Sequence, residues 1–296
     1  VEGLLLDADP GGPVAHLLQA VAWPLALAGG PSTLTLRGTT HAPGAPTFHD
    51  LALVWAPAAA RLGFGVDLSL GLAGFPGGGP GVVSARVEPA HAMPPLDLRH
   101  RGTLRDVEVL SFTGGGEPLV QRAAERQALH ATRALRALGV PAEARRVPLP
   151  VEGAGGTLLL LVASFERTRS GHGQVTAREA GQGDPAAAAV GALRAHLAGG
   201  GAVEAHLADQ LLVPAALLAA GRVAPAPGVT PVGRFSVGAV SGHLTATAEV
   251  IARFLDVEVA VLGRPGEPGE VRVAPRGASP DVLPLRPPGG GAAERG

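Results

Sequence analysis

Two apolar stretches constrain this chain more than anything else in it. HLLQAVAWPLALAGG (His16–Gly30) and HLADQLLVPAALLAAG (His206–Gly221) both read as helices, each with a glutamine and, four or five residues later, a proline. Pro13 can start the first helix, Gly29 and Gly30 can stop it, and Pro24 should kink it. The elements downstream of each stretch also match. After the first come an alternating strand at Thr33–Arg37, a helix from about Thr47 to Leu62 with Trp55 on its buried face, and strands at Val66–Leu70 and Val82–Glu88. After the second come a strand around Arg234–Val237, a helix over His243–Leu255, and strands at Val257–Leu262 and Val271–Val273. The matched order, more than the matched letters, predicts a degenerate internal repeat.

A block of different character separates the copies. Leu104–Leu110 reads as a strand, and Pro118–Leu138 as a long helix carrying Arg122, Glu125, Arg126, Arg133 and Arg136. TLLLLVASF (Thr157–Phe165) is almost unbroken apolar sequence, the pattern of a strand buried on both faces. Asp184 before Pro185 is an N-cap and first-turn pair opening a helix to Ala198. The expected fold class is α+β / α/β. The expected division is a repeat unit at 1–103, an inserted α/β domain at 104–200, the last repeat unit at 201–274 and a disordered Pro/Gly-rich tail at 275–296.

Composition narrows the chemistry. The formal net charge is −1, which excludes a uniformly basic nucleic-acid coat and leaves local basic sites. There is no cysteine and no lysine, so disulfides, thiolate metal sites and lysine or cysteine nucleophiles are excluded, and every cation is arginine or histidine. No membrane span or signal peptide is recognisable, and the expected location is the cytoplasm. No G-x-S-x-G or H-E-x-x-H occurs. The loop GFPGGGPG (Gly74–Gly81) could cradle a phosphate on its backbone amides, but it lacks a Walker lysine, and a wide hairpin loop is the plainer reading. SGHLTAT (Ser241–Thr247) sets a histidine at the mouth of a helix, where the N-terminus draws anions and a ring nitrogen can attack a bound phosphate. A histidine near a helix cap is commoner than a nucleophile, so spacing alone does not decide. In HLADQ (His206–Gln210), the adjacent Asp209 and Gln210 diverge by about 100°, so one of them should face a cleft.

At these segments the chain resembles the RNA 3′-terminal phosphate cyclase family. GTTHAPGAPTFHDL (Gly38–Leu51), GFPGGGPGVV (Gly74–Val83), AVEAHLADQLLVPAAL (Ala202–Leu217) and SGHLTATAEVIARFL (Ser241–Leu255) are similar to family segments and stand in family order. The resemblance implies repeated units of a four-stranded sheet with two helices, as in enolpyruvyl transferases, plus a smaller inserted domain. It implies ATP-dependent conversion of an RNA 3′-phosphate to a 2′,3′-cyclic phosphate. His243 matches the histidine that becomes adenylylated. His206, Leu207, Ala208, Asp209 and Gln210 match the nucleotide-site helix, with Asp209 and Gln210 as its most direct contacts, and Gln19 matches a glutamine that touches nucleotide from another repeat. His41 and Pro46 become cleft candidates. A divalent cation, Mg or Mn, and an RNA with a 3′-phosphate end are the implied cofactor and partner.

The chain also departs from the pattern. The usual T-N pair reads Ala246–Thr247, Gly242 stands where the family often has a larger residue, and the glycine loop is one residue short. The family's first repeat, with its E-G-G-G-Q segment and arginines, has no counterpart. The chain opens at Val1 and its only methionine is Met93, so a preceding repeat is expected. Two rival readings remain: a non-catalytic relative acting in ribosome or RNA biogenesis, and an enolpyruvyl transferase-like enzyme.

Overall fold

The computed structural model describes residues 1–8, 11–177 and 183–278. The repeat is visible as two sheets of identical topology. The first is built from β1 (Leu4–Asp7), β2 (Ser32–Gly38), β3 (Val66–Leu72) and β4 (Gly81–Val87) in the order β1-β2-β4-β3. β1 runs parallel to β2, whereas β2–β4 and β3–β4 are antiparallel. The last sheet is built from β5 (Leu96–Leu98), β10 (Gly233–Val237), β11 (Val257–Leu262) and β12 (Gly269–Pro275) in the order β5-β10-β12-β11, with β5 parallel to β10 and the other pairs antiparallel.

Sheet pairing shifts the expected boundary at 103. β5 lies before it in sequence but belongs to the last sheet, with Leu96 opposite Gly233. The insertion therefore interrupts the last unit after its first strand. A three-residue strand carries no periodicity to announce this; it is defined only by its partner.

Helices fill the corresponding places. In the first unit these are α1 (Val14–Ala26) and a broken helix: α2 (Phe48–Asp50), a π-helical turn at Leu51–Trp55, and α3 (Ala56–Arg61). A capping box starts α2: the Thr47 side chain accepts from the Asp50 amide, and Asp50 accepts from the Thr47 amide at 2.9 Å. The Leu51–Trp55 turn sends Leu51, Val54 and Trp55 into the core. Trp55 meets Trp23 of α1 edge-on at 5.7 Å.

The insertion contains β6 (Leu104–Gly114), α4 (Pro118–Ala137), β7 (Ala144–Leu149), β8 (Gly156–Phe165), β9 (Arg169–Ala177) and α5 (Pro185–Gly199), with strands in the order β7-β6-β8-β9. The Asp184 side chain caps α5 by accepting from the amides of Ala186 and Ala187, as its sequence suggests. β8 is buried on both faces because the two faces meet different partners. Leu158, Leu160 and Val162 join the core of the repeat units, while Leu159, Leu161 and Ala163 pack with α4 and α5 residues. The insertion is thus welded to the body by a shared core. Arg101 adds a clasp, donating to the carbonyls of His196, Leu197 and Gly201 at the C-terminal end of α5.

The last unit is completed by α6 (Ala205–Ala219) and α7 (Gly242–Phe254). α6 is nearly all apolar and packs against both α7 and the last sheet. The tail expected to be disordered lies, beyond residue 278, outside the described residues.

Candidate nucleotide site

The shared topology brings the two similar helices face to face. Gln19, Trp23 and Pro24 of α1 oppose Asp209, Gln210 and Val213 of α6 across a cavity of about 610 Å³, with Trp55 and Thr247 on its wall. Both tryptophans of the chain therefore line it. Two of its donors, Gln19 Nε2 and Trp55 Nε1, are buried with no hydrogen-bond partner. A buried donor without an acceptor costs roughly 1–3 kcal/mol, and both nitrogens are buried from the cavity as well as from bulk solvent.

Gln210 and Trp55 also border a second cavity of about 620 Å³ between the body and the insertion. Its wall includes Pro43–Thr47, Asp50, His172, His196, Glu204, His206 and Leu207. Sequence reasoning misses Asp50, His172, His196 and Glu204 as site residues; the T-x-x-D capping box at Thr47–Asp50 is the one local signal for any of them. Glu204 N-caps α6 by accepting from the amides of His206 (2.9 Å) and Leu207 (2.5 Å). Burial nonetheless lifts its carboxyl to about 7, against the pull of His206 and those amides, and Asp50 adds to the rise. Burial likewise raises Asp50, opposed chiefly by its hydrogen bonds from Thr47. Burial raises Asp209 too, while the nearby charges of His206 and His243 pull it down.

The structure divides the sequence candidates among distinct places. Gln19, Asp209 and Gln210 share one cavity; His206, Leu207, Gln210 and Pro46 line the other. Ala208 is fully buried and lines neither, because it falls on the core face of α6. His41 is not a cleft residue. It is fully buried, bonded through Nδ1 to Thr40 Oγ1 (2.7 Å) and through Nε2 to His49 Nδ1 (3.1 Å), and stacked on Phe75. His243 stands exposed in the first turn of α7 and lines neither cavity, but Thr247, one turn on, borders the first. Ser241 caps this helix, accepting from the Leu244 amide at 3.0 Å. Among the described residues no group of three or more His, Cys, Asp or Glu could hold a metal, and no helix is long and apolar enough to cross a membrane.

The glycine-rich loop serves packing. Gly79 N donates to Glu152 O and Ala73 N to Pro150 O, each at 2.8 Å, stitching the loop to the insertion. A Cβ on Gly78 would overlap the Ala154 carbonyl oxygen, and one on Gly114 would come within 2.5 Å of the Phe75 ring. The loop thus fits the insertion at backbone distance. Gly78→Ala is expected to cost about 1–3 kcal/mol in urea unfolding while leaving nucleotide affinity unchanged; an unchanged midpoint would refute the seam role.

A model of the RNA 3′-terminal phosphate cyclase family matches residues 3–261. Proteins named RNA 3′-terminal phosphate cyclase from Methylococcus capsulatus, Trichormus variabilis and Ralstonia nicotianae are 35%, 33% and 34% identical to this chain, over 87%, 82% and 83% of its length. The chain spans about two thirds of these relatives, covering 68%, 66% and 65% of them respectively. The chain belongs to the RNA 3′-terminal phosphate cyclase family.

Proposed function

We propose that this chain provides the nucleotide site and the nucleophile of an ATP-dependent RNA 3′-phosphate cyclase. One observation carries the reading: Gln19 and Asp209–Gln210, on equivalent helices of two units, converge on one cavity. The carboxylate and amide there can hydrogen-bond the polar edges of a nucleotide, and the paired cavities have the volume for one.

The substrate dictates the chemistry. A phosphate monoester is a poor electrophile until it gains a leaving group. A His243 ring nitrogen attacks the α-phosphorus of ATP; an N–P bond forms and the P–O bond to pyrophosphate breaks. The terminal RNA phosphate oxygen then takes the AMP from His243, giving a pyrophosphate-linked RNA end. Attack by the adjacent 2′-hydroxyl closes the cyclic phosphate, loses its proton and releases AMP. The N-terminus of α7 beside His243 favours the negative charge of the phosphates. A divalent cation, Mg or Mn, would be carried in on the nucleotide phosphates, with Asp209 the carboxylate on the cavity wall that could face it; when bound it would neutralise phosphoryl charge.

The test is direct. An RNA labelled at its 3′-phosphate is incubated with the chain, ATP and a divalent ion, and then treated with phosphatase. The label is expected to become phosphatase-resistant only with ATP; label that stays fully removable would overturn the reading. A separate measurement probes the cavity. ATP is expected to change tryptophan fluorescence, since both tryptophans line it, and Gln19→Ala should weaken that titration about tenfold, the worth of one hydrogen bond to a charged ligand. A Gln19→Ala titration that matches the parent chain places the nucleotide elsewhere.

A further inference from the structure

The outer face of α4 has no part in the reaction above. Its arginines Arg122, Arg126, Arg133 and Arg136 recur at intervals of four, seven and three residues. At 100° per residue they fall within about 80° of one another and make one stripe about 21 Å long. All four are exposed. The helix carries a single carboxylate, Glu125, and this is bridged at 2.5 Å to Arg146 of β7, which brings a fifth guanidinium beside the stripe. Among the described residues no carboxylate pairs with Arg122, Arg126 or Arg133, and Arg136 spends only its Nε, on the Ala142 carbonyl.

This is a concentration of charge in an otherwise balanced protein, with 24 cationic against 25 acidic side chains. It is also outward by construction. α4 packs on the face of the insertion sheet that carries Val109 and Leu161, while the opposite face is sealed against the body. The stripe begins eight residues after Gly114, where the insertion meets the body at Phe75, and lies on the side of the insertion sheet opposite the body. Guanidinium groups with free donors match phosphate oxygens two at a time, and a row of them matches a polyanion strand.

We propose that the α4 stripe binds the phosphate backbone of single-stranded RNA and holds the substrate strand upstream of its 3′ end. The second part rests on the cyclase reading. Nothing in the arrangement reads bases, so the contact is expected to be indifferent to sequence.

Fluorescence anisotropy of a 3′-phosphorylated RNA of about twenty nucleotides tests this, with the full chain titrated at several salt concentrations. The variant Arg122→Gln/Arg126→Gln/Arg133→Gln changes only exposed side chains. It is expected to weaken RNA binding at least tenfold at low salt and to flatten the log–log salt slope by about 2, near 0.7 per lost phosphate contact. Its ATP-dependent tryptophan response is expected to stay unchanged. RNA binding with an unaltered slope overturns the stripe and leaves the cyclase reading standing. A parent chain that binds ATP but no RNA overturns both. Polyglutamate competing as well as RNA at equal charge marks an acidic protein as the occupant and overturns the RNA assignment.

Discussion

Replacing His243 with alanine is expected to abolish covalent labelling of the protein by ATP carrying label in its α-phosphate. The loss should exceed about 10³-fold, because nothing replaces a missing nucleophile. In the parent chain the label should be lost in acid and survive alkali, the behaviour of a nitrogen–phosphorus bond. The alternatives within reach are limited by the sequence itself, which has neither lysine nor cysteine. His206 is the nearest competitor: it is exposed on the cavity wall and has the chemistry to take the adenylyl group. Labelling that persists in His243→Ala and disappears in His206→Ala would move the nucleophile from α7 to α6. Ser241→Ala gives the control for position. It keeps the imidazole but removes the side chain that accepts from the Leu244 amide, so it should cost about 1 kcal/mol of stability and only part of the labelling.

How far the sequence reaches depends on how local each signal is. α6 and β8 are legible because one is almost wholly apolar at helical length and the other is an unbroken apolar run. β1, β5, β7 and β9 do not read as strands. β1 and β5 are four and three residues long, β7 (ARRVPL) is charged and contains proline, and β9 (RSGHGQVTA) is broken by glycines. Each is a strand because a neighbour pairs with it, which no window of its own residues reveals. The site divides the same way. Gln19, Asp209 and Gln210 stand in similar segments and do converge, whereas the acid–histidine wall of Asp50, His172, His196 and Glu204 comes from three parts of the chain joined only by the seating of the insertion. His41 misleads for a related reason. The resemblance of its segment makes it a cleft candidate, whereas Phe75 stacked on it, His49 bonded to it and Phe112 of the insertion stacked on His49 bury it completely.

That covered seam should make the protein sensitive to mild acid. Burial holds His41 at about 3, with His49 adding to the effect, and holds His49 itself at about 4. Burial holds His172 at about 3, with help from His196 and His206, and His196 at about 4, with help from Arg101. In the unfolded chain each returns to about 6.5. Between pH 6.5 and about 4 the unfolded state therefore binds these protons and the folded state does not, so stability falls as pH falls. Three carboxyls act the other way. Asp50, Glu204 and Asp209 are raised in the folded state, so they take protons there first and gain stability on acidification, Glu204 from about pH 7 downward. Four histidines against three acids leave a net uptake on unfolding of roughly one to three protons, or about 1–4 kcal/mol lost per pH unit. Urea unfolding between pH 7 and 5 reads this slope directly. His172→Asn should flatten it by nearly one proton, and Glu204→Gln, which keeps an oxygen to cap α6, should steepen it. A slope that both variants leave unchanged would mean that the seam admits water and that its histidines titrate as they do in the unfolded chain.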